Sequence, residues 1–281
     1  MQNCYNKGMP LQHIGVFYNE FKTHVEPLAE QAVSFLRSKQ VQATPLTTLE
    51  NLAGYDLIIS MGGDGTMLRC ARACAPKNIP MFGINCGTLG FLAAAEKEEL
   101  TSALQALLEG KCISHKRLLL NIDICQAEHI QTYTACNDCV LHSANMRAFF
   151  IQADFNHTAL PPYFGDGVIV STPTGSTAYS LAAGGPIVEP NVDVFIATPV
   201  CPHTLHQRPM VLPASGTLTL CPTFKNKEDR AIASFDGQLH VTLEPKATLT
   251  ISRSSQTVTL LTLPERGFFT VLHKKLSWGN L

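Results

Sequence analysis

Residues 56–66 read Asp56-Leu57-Ile58-Ile59-Ser60-Met61-Gly62-Gly63-Asp64-Gly65-Thr66. The apolar run before the glycines is typical of a buried strand, and residues 66–74 have the pattern of a helix. Glycines between a strand and a helix allow a sharp turn and a close approach of the backbone to a ligand. The helix N-terminus beyond such a turn offers free N–H groups and a positive dipole end, which favour phosphate. The stretch therefore predicts a phosphate-binding turn at the mouth of a parallel sheet.

The residues on both sides of this turn alternate between strand and helix patterns. Residues 13–18 and 79–85 are short apolar runs that predict strands, and residues 25–39 and 96–109 have helical spacing. The second helix is expected to stop at Gly110, since glycine accepts the left-handed conformation that often ends a helix. Strands that alternate with helices predict an α/β N-terminal domain, Rossmann-like, with a mostly parallel sheet.

The pattern changes near residues 110–120. From Leu118 on, short alternating or β-branched runs, among them residues 129–141, 248–252 and 257–263, are separated by turn residues, as at Pro213–Gly216 and Asp236-Gly237. This pattern predicts an all-β, antiparallel, sandwich-like domain, with one helix at residues 177–183. The predicted division is residues 1–115, 116–265 and a closing segment 266–281 that returns to the N-terminal domain.

The bulk composition excludes several classes of protein. The chain has 281 residues, with 21 basic and 22 acidic side chains, and this near-neutral balance argues against a broad nucleic-acid surface. No apolar run reaches the roughly 18–20 residues of a membrane span, and the first ten residues lack a signal-peptide core. We therefore expect a cytoplasmic protein that contacts neither nucleic acid nor a membrane.

The 10 cysteines are scattered and several lie in apolar runs. Cys136 and Cys139 form a Cys-x-x-Cys pair, but their stretch has the pattern of a strand, on which residues three apart face opposite sides. No second pair completes a zinc site. We expect reduced structural thiols.

Asp64 has two interpretations when only spacing is considered. Aspartate caps helices well, so it could begin the predicted helix. Beside a phosphate, however, a carboxylate is repulsive unless it takes a proton or holds Mg²⁺. The turn lacks the Gly-Lys-Ser/Thr of a P-loop and the spacing of a dinucleotide fingerprint. It resembles a turn shared by NAD kinases, diacylglycerol and sphingosine kinases and, more distantly, phosphofructokinases.

A second segment narrows this choice. Residues 165–186 read as a strand, a turn rich in hydroxyl groups and a helix, from Gly165-Asp166-Gly167 through Thr174-Gly175-Ser176-Thr177-Ala178-Tyr179 to Gly184-Gly185-Pro186. This run resembles the signature of NAD kinases, and lipid kinases do not carry it in this form. Four further stretches agree with that family: residues 83–92, Asn137-Asp138, residues 201–209 and Asp236-Gly237-Gln238. The resemblance spans residues 55–240.

The resemblance implies a kinase that phosphorylates the 2′-hydroxyl of the adenosine ribose of NAD to give NADP. The donor would be ATP or another phosphoryl donor, with Mg²⁺ or another divalent metal carried mainly by the donor phosphates and no metal site of the protein's own. Asp64 would be the base that accepts the proton of the hydroxyl. NAD kinases are dimers or tetramers, so the resemblance also implies a homodimer or homotetramer.

The resemblance assigns fifteen positions to substrate or nucleotide binding. They are Asp64, Gly65, Arg69, Phe91, Asn137, Asp138, Arg147, Asp166, Thr177, Ala178, Tyr179, Ser180, Leu181, Ala182 and Gln238. Arg69 would add positive charge near the phosphates, and Arg147 is expected to act across a subunit interface. The chain departs from the family pattern at Ala182, where some relatives have serine, at Phe164, where many have a basic residue, and at His206.

Two other functions remain as alternatives. A lipid kinase of the same superfamily would have an apolar acceptor cleft or a membrane-binding face, and the second segment argues against it. A non-enzymatic NAD-binding protein would bind NAD without transferring phosphate.

Overall fold

The computed structural model describes residues 11–145, 147–226 and 228–277. The chain forms two compact units. Unit 1 contains the residues up to Arg117 and those from Gln256 on, and unit 2 is Leu118–Ser255.

The regular elements are numbered along the chain. The helices are α1 (Glu26–Ser38), α2 (Asp64–Cys74), α3 (Leu100–Leu108), α4 (Tyr179–Ala182) and α5 (Phe268–Leu276). The strands are β1 (His13–Tyr18), β2 (Gln42–Leu46), β3 (Leu57–Gly62), β4 (Met81–Asn85), β5 (Ala95–Glu96), β6 (Ile113–Gln126), β7 (His129–Ala135), β8 (Asp138–Ser143), β9 (Phe149–Phe155), β10 (Thr158–Gly165), β11 (Gly167–Ser171), β12 (Val194–Val200), β13 (Met210–Pro213), β14 (Leu218–Thr223), β15 (Ala231–Phe235), β16 (Leu239–Leu243) and β17 (Thr248–Thr262).

Unit 1 is built on a parallel sheet. Its order is β2-β1-β3-β4, and both β5 and the last part of β17 pair with β4 in parallel. All six residues of β3 are buried, which explains why its sequence is an unbroken apolar run rather than an alternating one. The α/β prediction for the N-terminal region is confirmed, as is the return of the C-terminal segment, because β17 and α5 end in this unit.

Helix boundaries in unit 1 follow local chemistry. The predicted helix 96–109 begins as a short 3-10 turn, Lys97–Glu99, closed by a capping box between Glu96 and Glu99. Gly110 adopts φ +68° after α3, as expected for a glycine stop. Strand β2 was not predicted, because Pro45 and its polar neighbours mask a pattern that only the pairing with β1 reveals.

Unit 2 is antiparallel throughout, as predicted. One sheet has the order β13-β12-β11-β8-β15-β16. The other strands include the run β10-β9-β14-β17 and the hairpin β6-β7. Buried side chains of unit 2 form one core cluster that includes Leu120, Leu141, Val170 and Phe235.

Four predicted elements of the β region differ from the structure. The stretch 129–141 is two strands, β7 and β8, and the two strands predicted between residues 248 and 263 are the single strand β17. The predicted helix 177–183 is a 3-10 turn, Thr174–Thr177, followed by the four-residue α4.

Among the described residues, six cysteines, among them Cys70, Cys136 and Cys139, are buried as free thiols. No helix in the described ranges is long and apolar enough to cross a membrane.

Candidate active site

The carboxylate of Asp64 joins the glycine turn to the loop that follows β4. Gly63 is the N-cap residue of α2, so Asp64 is the first residue of the helix and not its cap. Asp64 Oδ2 accepts the backbone N–H of Phe91 at 3.0 Å, and Oδ1 accepts that of Leu92 at 3.3 Å. Two backbone donors therefore fix the orientation of this carboxylate, and the helix-cap interpretation is wrong.

Gly90 permits this close approach. A methyl group added to Gly90 would overlap both carboxylate oxygens of Asp64, whereas one added to Gly87 in the same loop would meet open space. Only a residue without a side chain at position 90 lets the loop reach the carboxylate. The two glycines are thus not equivalent, although both belong to the loop that the sequence singled out.

A cation from the C-terminal helix completes the surroundings of Asp64. Lys275 Nζ lies 3.8 Å from Asp64 Oδ2 and 4.7 Å from the centre of the Phe91 ring. The side chain of Asp64 keeps 31% of its surface exposed, so the carboxylate remains accessible.

The other predicted residues of unit 1 lie nearby or at its surface. Gly65 is exposed and Phe91 is half-buried. Arg69 is exposed, and its guanidinium lies over the ring of Phe17, 5.6 Å from the ring centre.

Unit 2 contains a cavity of about 700 Å³. Five of the predicted residues line it: Asn137, Asp138, Asp166, Ala178 and Tyr179. Its other lining residues are Val140, His142, Ser143, Val200, Cys201, Ser234, Asp236, Gly237 and His240. A volume of this size is typical of a pocket for a drug-sized or nucleotide-sized ligand.

Two carboxylates dominate the electrostatics of this cavity. Asp236, at φ +50°, accepts the backbone N–H groups of Cys136, Asn137 and Asp138 at 3.0, 2.7 and 3.2 Å. These bonds turn the chain between β7 and β8, which is why the predicted single strand is divided. Burial, together with the neighbouring charge of Asp236, raises the pKa of Asp138 to about 7. Near neutral pH Asp138 can therefore either donate or accept a hydrogen bond.

Most hydroxyl groups of the second signature segment stabilise the segment itself. Thr172 Oγ1 donates to the carbonyl of Cys136 at 2.7 Å and accepts the N–H of Gly175 at 3.0 Å. Ser176 Oγ accepts the N–H of Val188 at 3.0 Å. These bonds hold the turn against the start of β8, so the hydroxyl-rich composition has a structural cause as well.

Only part of the second signature segment lines the cavity. Ala178 and Tyr179 line it, and Tyr179 is 48% exposed. Ser180 is buried, with its hydroxyl 2.9 Å from that of Thr198, and Thr177 donates its hydroxyl to the carbonyl of Thr174. Thr177, Ser180, Leu181 and Ala182 are not among the lining residues.

Two further predicted residues lie apart from the cavity wall. Arg147 lines a separate cavity of about 200 Å³, together with Phe150 and Phe164, whose rings stack 4.4 Å apart. Gln238 follows the lining residue Gly237 but does not itself line the larger cavity.

Sequence reasoning missed a polar chain on the cavity wall. The hydroxyl of Ser234 lies 2.8 Å from His240 Nδ1 and 3.4 Å from His142 Nε2. Ser234 and His240 are directly opposite in the β15–β16 hairpin. The Asp236-Gly237 turn signal could have identified that pair. Lys275 was missed as well, because no local pattern connects residue 275 to residue 64.

No group of three or more His, Cys, Asp or Glu side chains placed to hold a metal ion occurs in the part of the chain that the structure describes.

Comparison with known proteins agrees with this geometry. Residues 14–112 match the ATP-NAD kinase N-terminal domain, and residues 137–263 match the ATP-NAD kinase C-terminal domain. An NAD kinase of Treponema denticola is 42% identical over 228 residues, 80% of each chain. An NAD kinase of Moorella thermoacetica is 35% identical over 284 residues, 96% of this chain and 91% of that one.

A solved structure supports the fold. Yeast NADH kinase complexed with NADH matches with a TM-score of 0.88 at 22% identity, covering 98% of this chain and 89% of that one. The two domain matches and the curated relatives together establish the family. The chain therefore belongs to the NAD kinase family and catalyses the ATP-dependent phosphorylation of NAD to NADP.

Proposed function

We propose that Asp64 is the base that accepts the proton of the adenosine-ribose 2′-hydroxyl during phosphoryl transfer. One observation carries this assignment: a partly exposed carboxylate at the phosphate turn, held by the N–H groups of Phe91 and Leu92. The 2′-oxygen forms a bond to the γ-phosphorus of ATP, the bond from that phosphorus to the β,γ-bridging oxygen breaks, and ADP leaves. The hydroxyl proton passes to the carboxylate of Asp64. Because the transition state is loose, orientation of the hydroxyl is expected to matter more than early proton removal.

We further assign the unit 2 cavity to the recognition of NAD. The amide of Asn137 matches the donor and acceptor edge of an adenine base. Asp138 lies beside it and, with a pKa near 7, can exchange hydrogen bonds with ribose hydroxyls. Tyr179 offers an exposed ring for base contact, and Asp166 offers a second carboxylate for ribose. The other predicted binding residues stay predictions.

A divalent metal such as Mg²⁺ is proposed to accompany the donor. Mg²⁺ prefers oxygen ligands and is commonly held by substrate phosphates with one or two carboxylates. The exposed part of the Asp64 carboxylate fits that donor set, so the phosphates with Asp64 would hold the metal. When bound, the metal neutralises charge on the donor phosphates.

The assignment of Asp64 is tested with Asp64→Asn. NADP formation from NAD, ATP and Mg²⁺ should fall roughly 10²–10⁴-fold in kcat, the range expected for loss of a general base. NAD affinity, measured by calorimetry, should change by less than about threefold, and thermal unfolding serves as the control for folding. A variant with the wild-type rate would exclude Asp64 as the base.

We also propose a homodimer or homotetramer. Unit 2 exposes large apolar side chains, among them Ile130 at 69% and Val211 at 51%, and Val211 lies on the edge strand β13. Exposed apolar groups on an edge strand favour association with a second chain. Sedimentation at low protein concentration tests the proposal, and a monomer would contradict it.

A further inference from the structure

Helix α5 is held in place by contacts at its beginning. Arg266, whose side chain is only 9% exposed, pairs with Glu96 at 3.2 Å and also with Glu99. The ring of Phe268 lies 6.5 Å from that of Phe91, centre to centre. Val271 and Leu272 are buried, so the helix packs onto unit 1 along one face. These contacts fix the direction in which the helix points its last turn.

Lys275 lies in that last turn and reaches Asp64. Its ammonium is 3.8 Å from Asp64 Oδ2 and 4.7 Å from the centre of the Phe91 ring. Lys274 occupies the preceding position and is exposed on the same helix. Arg69, the cation that the sequence suggested for this turn, is directed over Phe17 instead. Lys275 is therefore the cation that accompanies the carboxylate.

A carboxylate at a phosphate turn creates an electrostatic problem. Asp64 repels whatever charge on the donor the metal leaves uncompensated, and this repulsion increases as solvent is excluded from the turn. A lysine ammonium at hydrogen-bond range of a phosphoryl oxygen cancels this repulsion and stabilises charge in the transition state. It is a compact point charge on a flexible stem, so it can move between carboxylate and phosphate without rearrangement of the helix.

We infer that Lys275 is a phosphate-binding residue, whose ammonium contacts the transferring phosphoryl group and offsets the charge of Asp64. The inference rests on the proposed role of the Asp64 turn. A purely structural role would consist of the ion pair and the contact with Phe91. Both partners of the ion pair are about one third exposed, and such pairs contribute little to stability. A phosphate-binding role therefore predicts a large loss of activity when the charge of Lys275 is removed, whereas a purely structural role predicts a small one.

The test compares three variants by steady-state kinetics with NAD, ATP and Mg²⁺. Lys275→Met keeps the aliphatic stem over Phe91 but removes the charge, and kcat/KM for ATP should fall about 10–100-fold, as expected for loss of a charged hydrogen bond. KM for NAD should stay within about twofold, which assigns the loss to the phosphoryl side. Lys275→Arg restores the charge and should recover most of the activity. Lys274→Met removes the same charge one residue away and should stay within about twofold of wild type.

A second measurement needs no variant. Wild-type enzyme is acylated at lysine in the presence and absence of Mg²⁺–ATP, and the modified residues are quantified by mass spectrometry. ATP should protect Lys275 several-fold more than Lys274.

The inference is overturned if Lys275→Met retains activity within twofold of wild type, if Lys275→Arg is no better than Lys275→Met, or if ATP leaves Lys275 unprotected. Any of these results, combined with an inactive Asp64→Asn, leaves the proposed base intact. Wild-type activity of Asp64→Asn would instead contradict the proposed base, whatever the result at Lys275.

Discussion

Asp64 in unit 1 and Asp138 in unit 2 are both aspartates, but their surroundings are opposite. Asp64 is partly exposed, receives two backbone N–H groups and lies beside Lys275. Asp138 is 5% exposed and has the carboxylate of Asp236 as its charged neighbour. Burial beside a second carboxylate opposes a negative charge on Asp138.

The difference between the two surroundings matches two proposed tasks, proton acceptance by Asp64 and hydroxyl recognition by Asp138. The role of base proposed for Asp64 requires a carboxylate that a hydroxyl can reach, and its side chain keeps 31% of its surface exposed. A group that recognises hydroxyls benefits from being able to donate as well as accept, and the raised pKa of Asp138 provides this ability near neutral pH. In the roles proposed here, two aspartates would serve different kinds of chemistry because their neighbours differ.

Among the changes that leave both carboxylates in place, the largest effect is expected from Gly90→Ala, which disturbs only the first of these environments. The added methyl group overlaps the Asp64 carboxylate, so the loop or the carboxylate must move. A displacement of about 1 Å at a reacting group costs on the order of 10²-fold in rate, and kcat for NADP formation should fall by about that factor.

Gly87→Ala is the matched control for Gly90→Ala. It adds the same methyl group to the same loop in open space, and kcat should stay within about twofold. Equal losses in both variants would mean that loop flexibility, rather than the contact with Asp64, determines the rate.

Asp138→Asn should remove the pH-dependent loss of stability that comes from burying the Asp138 carboxylate beside Asp236. The pKa of Asp138 is about 7 in the folded protein and near 3.8 when unfolded. Between these values the folded state holds a proton that the unfolded state has released, so the free energy of unfolding falls as pH rises through this window. Above pH 7 the cost is at most about 4 kcal/mol, and the neutral asparagine avoids it. The variant should therefore melt several degrees above wild type at pH 8, with a much smaller difference at pH 5.

Thermal unfolding at both pH values provides the measurement for Asp138→Asn. Asp193→Asn is the control, because this exposed carboxylate pairs with Arg253 at the surface and should give little change at either pH. An Asp138→Asn protein less stable than wild type at pH 8 would show that the carboxylate is stabilised as an anion.

The smallest effect is expected from Arg69→Met. Its guanidinium lies over Phe17 at the surface, a contact that contributes about 0.5–1 kcal/mol to stability. The rate of NADP formation should change by less than about twofold. A tenfold loss in kcat/KM for ATP would instead restore Arg69 to the phosphate site that the sequence suggested.

Much of the fold could be predicted because its signals are local. The buried run at β3 and the helical spacing of α1 are visible in single stretches, and Gly110 ends α3 as its chemistry suggests. The division of β7 from β8 could not be predicted, since it depends on hydrogen bonds from Asp236, about a hundred residues away. The length of β17 likewise depends on its partners, with β14 at one end and β4 at the other.

The candidate site shows the same limit. The motifs identified Asp64, Asn137 and Asp138 because each stands in a recognisable pattern. For Ser180 they could not show that the hydroxyl lies in the interior beside that of Thr198, since this contact depends on a distant strand. The predicted binding roles of Ser180, Leu181 and Ala182 stay predictions. Lys275 carries no motif, and its position beside Asp64 depends entirely on the packing of α5.

Cys201 shows how the surroundings of the unit 2 cavity affect the reactivity of a cysteine thiol. It is exposed and lines the wall of the unit 2 cavity, where oxidants and alkylating reagents can reach it. A hydrogen bond to Asp166, together with the charge of that carboxylate, raises the pKa of the Cys201 thiol. Only the thiolate attacks such reagents, so accessibility alone does not make the residue reactive. At neutral pH a labelling reagent or peroxide entering the cavity therefore meets a thiol whose reactive form Asp166 disfavours.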